Sequence, residues 1–456
     1  MLFMRAISKR PGVIVLLLVL LTLTSGPALA QGSGATDEIT VLTKNQQGII
    51  LDSLYMALDS IYVYPEKAAE TIKALKKNFK DGKYNDLTEP NAFTQKISDD
   101  MYEICHDGHL GLRYVPGLEP LDAESNEPTD EELAEQLLER KFANFGFEKL
   151  ERLPGNIGYL KFNGFSSAGC AGGTAIAAMN WLANSEALII DLRDNGGGSP
   201  SMVQLISSYF FDDVEHLNTF YIRNTDSYEQ YYTQAYVIGP RLSDIPIYIL
   251  TSRYTFSAAE EFTYNLKNMK RAVIVGETTG GGAHPLDDIR IASFDIQLRV
   301  PFGKAINPIS ETNWEGTGVV PDYEIAADSA LEFAQILALD TLVKTVTEPH
   351  KSEIFKWIRD YKKALQKPFE LNPDLARKYI GDYDPRKIFM EDGQLYYQRG
   401  ENPKYKMTPM SEDTFVFEDL DYFRLKIETD ENGNPVAAAG IYQGGRTDRC
   451  ERTDKR

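Results

Sequence analysis

The sequence predicts an α/β protein whose alternating core lies between a small helical domain and a small all-β domain. From about residue 150 to residue 330, apolar runs typical of buried strands alternate with stretches of helical period. Residues 369–456 instead contain short alternating strands separated by Gly and Asn turns. The chain has 456 residues, which is enough for several domains that each bury a core.

The first 30 residues have the features of a secretory signal. A basic start is followed by the apolar stretch "VIVLLLVLLTL" and by the small-residue sequence that ends at Ala30. We therefore expect cleavage near Ala30, a mature chain starting at Gln31, and export to the periplasm or the extracellular space. The alternative is an uncleaved anchor, but the apolar stretch is short of the ~20 residues that span a bilayer. No stable membrane insertion is expected after cleavage.

Composition shifts along the chain predict the domain boundaries. Apolar residues at helical spacing between 46 and 104 indicate a helical domain, and an acidic stretch rich in Pro and turn formers follows it. The predicted parts are a signal peptide (1–30), an N-terminal helical domain (31–118), an acidic linker (119–135), a core (136–345), a helical connector (346–368) and a β-barrel or sandwich (369–456).

The core shows a regular order of elements. Its strands are apolar throughout, which is typical of a sheet covered by helices on both faces. In order, the pattern predicts strand "NIGYLKFNGF", helix "GTAIAAMNWLAN", strand "ALIIDLR", helix "SMVQLISSYFF", strand "PIYILTS", helix "AAEEFTYNLKNMK" and strand "RAVIVGE".

Charge and cysteine content limit the class of partner. With 48 basic and 67 acidic residues the net charge is −19, so nucleic acid is not an expected partner. The three cysteines are far apart and form no metal-type CxxC pair. They are either separate thiols or, in an exported protein, include a Cys105–Cys170 disulfide.

Ser257 is the first candidate for chemistry. It follows a buried strand and a short turn, and it precedes a helix whose free N–H groups and positive end favour a developing anion. A nucleophile would be supported there. Ser257 with Glu260 three residues later is also a capping-box pattern, so the local sequence leaves both interpretations open.

A glycine-rich loop is the second candidate. Gly196, Gly197 and Gly198 directly follow the buried strand "ALIIDLR" and could point N–H groups at an oxyanion. A flexible turn is the alternative, and a phosphate loop is disfavoured because the Lys-Ser/Thr that completes one is missing. A serine nucleophile would also need a base, and any histidine taken alone could be structural; the candidates are His106, His109, His216, His284 and His350.

Five motifs in order carry a family resemblance: "CHDGHLGLRY", "LIIDLRDNGGG", "ILTSRYTFSAAEEF", "RAVIVGETTGGGAHP" and "EGTGVVPD". Residues 46–330 resemble the serine peptidases that include C-terminal processing peptidases, the tricorn core and interphotoreceptor retinoid-binding protein. The similarity is greatest to the retinoid-binding-protein-like branch, which lacks a PDZ domain. It implies a crotonase-like ββα core, Ser257 as nucleophile, and an oxyanion hole from N–H groups at Gly197 and Ala258.

The resemblance offers two versions of the base. Processing peptidases use a lysine at the position that matches Gly282, and this lysine is absent here. The tricorn-like version uses a histidine, matched by His109, which a glutamate matched by Glu315 orients. Gly108 stands where tricorn has a serine, so an auxiliary hydroxyl is missing. If Glu315 stabilises the charged ring, the acidic limb of activity should lie at or above the ~6.5 of free imidazole.

The sequence therefore predicts an exported serine peptidase that hydrolyses peptides or unfolded chain ends through an acyl-enzyme. No cofactor and no metal are expected. A non-catalytic carrier of apolar ligands and a serine esterase on the same scaffold are the alternatives, and the oligomeric state is left open.

Overall fold

The computed structural model describes residues 41–118 and 130–454. The predicted signal peptide and residues 119–129 of the predicted linker lie outside the described residues. Among the helices of the described ranges, none is both long enough and apolar enough to cross a membrane.

The N-terminal region is helical, as predicted. Proline at the first position of the second and third helices suits the start of a helix, since its missing N–H would have no partner there. The last helix of this region starts at Asp130, inside the stretch predicted to be a linker, because acid and leucine dominate from that residue on. The elements are α1 (Lys44–Ser60), α2 (Pro65–Lys80), α3 (Pro90–Cys105), β1 (Gly111–Tyr114) and α4 (Asp130–Phe142).

The central region alternates strands and helices in the predicted order, and it adds strands that the sequence pattern did not reveal. Its elements are β2 (Phe147–Leu153), β3 (Ile157–Phe162), α5 (Ala168–Leu182), β4 (Ala187–Asp191), α6 (Pro200–Ser207), β5 (His216–Ile222), β6 (Ser227–Tyr232), β7 (Ile247–Thr251), α7 (Ala258–Asn268), β8 (Ala272–Gly276), β9 (Leu286–Ile291), β10 (Ile296–Pro301), β11 (Gly303–Ile306), β12 (Tyr323–Glu324) and α8 (Ala327–Thr345).

A six-stranded sheet with the order β12-β8-β7-β4-β3-β2 forms the middle layer. Strands β3, β4, β7, β8 and β12 run parallel, and only β2 is antiparallel to its neighbour. Every residue of β4 and β7 is buried, since α5, α6 and α7 cover one face and α8 covers the other. The α/β fold class predicted from the sequence is confirmed.

Two small antiparallel sheets flank this layer, with the orders β1-β10-β9 and β11-β5-β6. Strand β10 packs its apolar residues into the same cluster as the first three helices. Because β1 pairs with β10, the loop between α3 and β1 is held against the central region.

The C-terminal region begins with two helices and continues as short strands. Its elements are α9 (Pro349–Gln366), α10 (Pro373–Tyr379), β13 (Gly381–Tyr383), β14 (Arg386–Glu391), β15 (Gln394–Arg399), β16 (Tyr405–Lys406), β17 (Thr408–Pro409), β18 (Thr414–Val416), β19 (Phe423–Thr429), β20 (Pro435–Tyr442) and β21 (Thr447–Glu451). The strands form two antiparallel sheets, with the orders β13-β14-β15-β16 and β17-β18-β19-β20-β21, which share one apolar cluster.

The boundaries of the predicted domains stay predictions. All three cysteines are free thiols.

Candidate active site

Ser257 occupies a strained turn between β7 and α7. Its φ is 54° and its ψ is −122°, a conformation that side chains other than glycine rarely adopt. Such strain costs about 1–3 kcal/mol and is concentrated at functional sites. The residue is half-buried, and its backbone N–H donates to Glu260 Oε2 at 2.9 Å. An ordinary helix cap would not require this backbone conformation.

The glycine loop after β4 lies directly against Ser257. A Cβ at Gly197 would come within 2.7 Å of Ser257 Cβ and 2.8 Å of the Ala258 nitrogen, and φ at Gly197 is 100°. Only glycine therefore lets the two segments approach so closely. Ala258 is the first residue of α7, where backbone N–H groups lack partners within the helix.

Asn195 connects the glycine loop to the serine turn, a role that the sequence did not reveal. Its side chain donates to the Phe162 carbonyl at 2.9 Å, and its Oδ1 accepts the Gly197 N–H at 2.9 Å. Its own carbonyl accepts the Phe256 N–H at 3.1 Å. The Gly197 N–H is thus already engaged in this structure, whereas the family resemblance implies that it binds an oxyanion.

His109 lies in the loop between α3 and β1 and is buried, with 4% of its surface exposed. Its ring centroid is 4.7 Å from that of Phe256, the residue before Ser257. The buried Nδ1 has no hydrogen-bond partner. Burial lowers the pKa of His109 to about 4, and the Asp107 carboxylate only partly opposes this. The upward shift expected from the sequence is therefore not what the structure shows.

Gly282, the position that matches the lysine of processing peptidases, faces the same rings. A Cβ there would lie 2.2 Å from Phe256 Cζ and 2.7 Å from His109 Cε1. A lysine at this position would need the space that these two rings occupy. The arrangement is compatible with a histidine base, and a lysine at residue 282 would require the rings of Phe256 and His109 to move.

Glu315 is close to His109 but is not bonded to the buried His109 Nδ1. Its carboxylate accepts the Ala283 N–H at 2.6 Å and the Gly108 N–H at 3.4 Å, and Oε2 lies 3.4 Å from His284 Nδ1. Burial, with a further contribution from Asp107, raises the pKa of Glu315 to about 7. The side chain is only 14% exposed, so Glu315 is not a surface acid.

Asp107 and His284 form a buried pair beside these residues. His284 Nδ1 lies 2.7 Å from Asp107 Oδ2, and the exposed fraction of each side chain is at most 2%. Asp107, His109 and Glu315 could each place one ligand atom within 4.8 Å of the others, a spacing that could hold a metal ion. Hydrogen bonds already engage both carboxylates.

Glu260 ties α7 to the loop that contains Gly282. Besides the Ser257 N–H, its carboxylate accepts the Gly281 N–H at 2.7 Å, the Gly282 N–H at 2.8 Å and the Thr279 hydroxyl. The sequence indicated only a cap at this residue. The additional bonds could not be read from the sequence because they join segments about 20 residues apart.

The fold thus brings Ser257, the glycine loop, His109 and Glu315 to one region. The loops that follow β4, β7 and β8 meet there because the carboxyl ends of parallel strands share one edge of a sheet. A serine at a strained strand–helix turn, close to a buried histidine and a glycine loop, is an arrangement typical of hydrolases with a serine nucleophile.

Residues 156–325 match the model of peptidase family S41. The chain is 30% identical over 138 residues to a carboxyl-terminal-processing protease of Picosynechococcus sp., covering 30% of this chain and 31% of the relative. It is 29% identical over 195 residues to chloroplastic carboxyl-terminal-processing peptidase 2 of Arabidopsis thaliana, covering 41% and 36%. The tricorn protease structure is 15% identical, with 66% of this chain and 37% of that chain covered and a TM-score of 0.41.

Residues 156–325 are therefore a domain of peptidase family S41. The chain spans about a third of the length of the two curated relatives. The predicted family is confirmed by the matching family model and by the two sequence relatives, and the crotonase-like detail of the core stays an expectation.

Proposed function

We propose that this protein is a serine peptidase that hydrolyses peptide bonds through an acyl-enzyme. The observation that carries the proposal is the strained backbone of Ser257, which the glycine loop contacts at a distance that excludes any side chain at Gly197. The matching S41 domain supports it, because the relatives named above are processing proteases.

In the proposed mechanism, Ser257 Oγ attacks the carbonyl carbon of the scissile amide while His109 takes the hydroxyl proton. The oxyanion accepts the Ala258 N–H and, once Asn195 Oδ1 releases it, the Gly197 N–H. His109 then returns the proton to the leaving amine, and water attacks the acyl-enzyme with His109 again as base.

Two features favour His109 over His284 as the base. His284 has both ring nitrogens engaged, Nδ1 with Asp107 and Nε2 with the Tyr64 hydroxyl at 3.3 Å. The His109 ring contacts the residue next to Ser257, and its Nδ1 is unbonded. In the proposal, Glu315 supports the loop of His109 through the Gly108 N–H.

The proposed substrates are peptides or unfolded chain ends, encountered outside the cytoplasm if residues 1–30 are cleaved as a signal. N-terminal sequencing of exported protein should give Gln31. Recovery of Met1 would contradict the export proposal without affecting the chemistry.

A fluorophosphonate probe tests the nucleophile directly. We expect one adduct, on Ser257, with labelling slowed strongly in His109→Ala and unaffected in His350→Ala, a histidine outside the site. Peptide hydrolysis that disappears with labelling supports a peptidase. Ester hydrolysis without peptide hydrolysis indicates the esterase, and a folded protein that takes no label and binds an apolar ligand indicates the carrier.

A further inference from the structure

The Asp107 carboxylate uses both of its oxygens to hold the loop that carries His109. Oδ1 accepts the His109 backbone N–H at 2.9 Å. Oδ2 accepts from His284 Nδ1 at 2.7 Å and from the Tyr62 hydroxyl at 3.2 Å. Asp107 is 1% exposed, so each bond replaces solvation that burial has removed.

His284 is fixed from its other side as well. Its Nε2 lies 3.3 Å from the Tyr64 hydroxyl, and the two rings meet edge to face with centroids 5.3 Å apart. The chain that carries His284 continues from Gly282 and Ala283, which contact the His109 ring and Glu315 respectively. A change at His284 is therefore transmitted to the surroundings of His109 by direct contacts.

The hydrogen bonds around Asp107 and His284 join segments that are remote in sequence. Tyr62 and Tyr64 come from the turn between α1 and α2, whereas Asp107 and His284 are 177 residues apart. The Val63 N–H also donates to the Pro301 carbonyl at 2.9 Å, so the turn is anchored at the end of β10. The position of His109 thus depends on how the N-terminal helices dock on the central region.

We propose that Asp107 and His284 are positioning residues for His109: Asp107 fixes its backbone, and His284 fixes the Asp107 carboxylate beside the reacting histidine. This inference rests on the proposed function. Neither residue would exchange a proton with the substrate.

The charges around His109 give this arrangement a measurable consequence. The charged groups near its ring are Asp107, Glu315, His284 and Arg299. After burial, which is the largest cause, Arg299 and His284 also lower the pKa of His109, while Asp107 raises it. Although burial opposes it, the bond to Asp107 raises the pKa of His284 above its ordinary value and so favours the charged form of its ring.

The test is His284→Gln, which keeps a polar side chain and removes the charge. With wild type, kcat/KM should fall as pH drops through about 4. In His284→Gln this acidic limb should move upward by roughly half a pH unit or more, with a lower kcat. The matched control is His106→Asn, since His106 is exposed, three residues from His109, and in a left-handed conformation that Asn tolerates. In His106→Asn, kcat/KM and the acidic limb of its pH profile should stay unchanged.

A readout without turnover separates this inference from the proposed function. In Ser257→Ala protein with 15N-labelled histidine, NMR follows the His109 ring directly, and adding His284→Gln should raise its pKa. If His284→Gln fails to fold, His284→Asn, which also replaces the imidazole with a neutral amide, should give a shift of the same sign. If His284→Gln lowers only the melting temperature and changes neither the His109 pKa nor the acidic limb of the kcat/KM profile, Asp107 and His284 are a purely structural pair. That result would overturn the inference. Hydrolysis that survives Ser257→Ala would overturn the proposed function instead.

Discussion

Helices α1 and α7 begin with the same local pattern and differ in everything around it. At α1, Thr43 has an ordinary extended backbone, with φ −75° and ψ 159°, and exchanges bonds with Gln46 on an exposed surface. At α7, Ser257 has φ 54°, and Glu260 is fully buried. The same capping pattern thus marks a helix start in one place and, in the proposal, a nucleophile in the other.

The two helix starts differ in the number of chain segments that donate hydrogen bonds to Glu260 and to Gln46. Gln46 Oε1 serves only the backbone N–H and hydroxyl of its own cap, whereas Glu260 accepts four donors and three of these come from the loop after β8. A cap on the surface stabilises one helix end. The buried version holds the serine turn and the neighbouring loop in one arrangement.

The largest expected effect is on peptide hydrolysis, which should depend on the hydroxyl of Ser257 and not on that of Thr43. Ser257→Ala should lower peptide hydrolysis on the order of 10⁴-fold or more, because it removes the proposed nucleophile. Thr43→Ala should leave turnover unchanged and cost about 1 kcal/mol of stability. Assays of kcat/KM together with urea unfolding check both. Full turnover in Ser257→Ala would mean that Ser257 is only a cap.

Glu260 and Gln46, the partners of the two helix-start residues, should differ in how much they contribute to stability. Glu260→Gln should cost about 2–4 kcal/mol of unfolding free energy, because an amide group would face donors that now meet a carboxylate. Gln46→Ala should cost less than about 1 kcal/mol. Urea unfolding measures both losses, and phosphonate labelling should slow only in Glu260→Gln. Equal losses of stability at the two helix starts would mean that Glu260, like Gln46, only caps its own helix.

Glu261, the residue after Glu260 in the same helix turn, should make stability depend on pH. Glu261 is 3% exposed, and burial raises its pKa from 4.5 to about 7, with the polar side chain of Asn218 partly opposing this. Since the folded state holds the proton more tightly, the resulting stability is complete below pH 4.5 and is lost as pH rises through about 7. Glu261→Gln should therefore gain up to about 3 kcal/mol at pH 8 and little at pH 4.

Unfolding free energies of wild type and Glu261→Gln from pH 4 to pH 9 provide the measurement. Glu260→Gln is the matched control, since it alters the adjacent acid that already has four donors, and it should destabilise the protein rather than stabilise it at pH 8. If the unfolding free energies of wild type and Glu261→Gln change in parallel from pH 4.5 to pH 8, so that their difference stays constant, the assignment to Glu261 is refuted.

The smallest expected effect is a difference in sign between two glycine variants. Ser257→Gly should be more stable than wild type by roughly 0.5–1 kcal/mol, because glycine relieves the positive φ. Thr43→Gly should be less stable by a few tenths of a kcal/mol, since its backbone is unstrained and only the cap is lost. Thermal unfolding of wild type and the two variants suffices, and a loss of stability at both positions would show that Ser257 stores no strain.

Local periodicity predicted much of the central region. The stretch "PIYILTS" contains β7, and the predicted helix 258–270 is observed as Ala258–Asn268. The small sheets built from β5, β6 and β9 to β11 were not predicted. Their strands are short and partly exposed, and each sheet includes a strand distant in sequence, so no local pattern marks them.

For the site, the sequence by itself determined where a serine, a glycine loop and a histidine stand relative to the strands, because strand and helix periods are short-range properties of the chain. Only the tertiary structure decided that Ser257 is strained, that Gly197 already donates to Asn195, that burial lowers the pKa of His109, and that Asp107 pairs with His284. These depend on contacts between segments up to 177 residues apart, and such contacts follow from packing and burial, which no local pattern encodes.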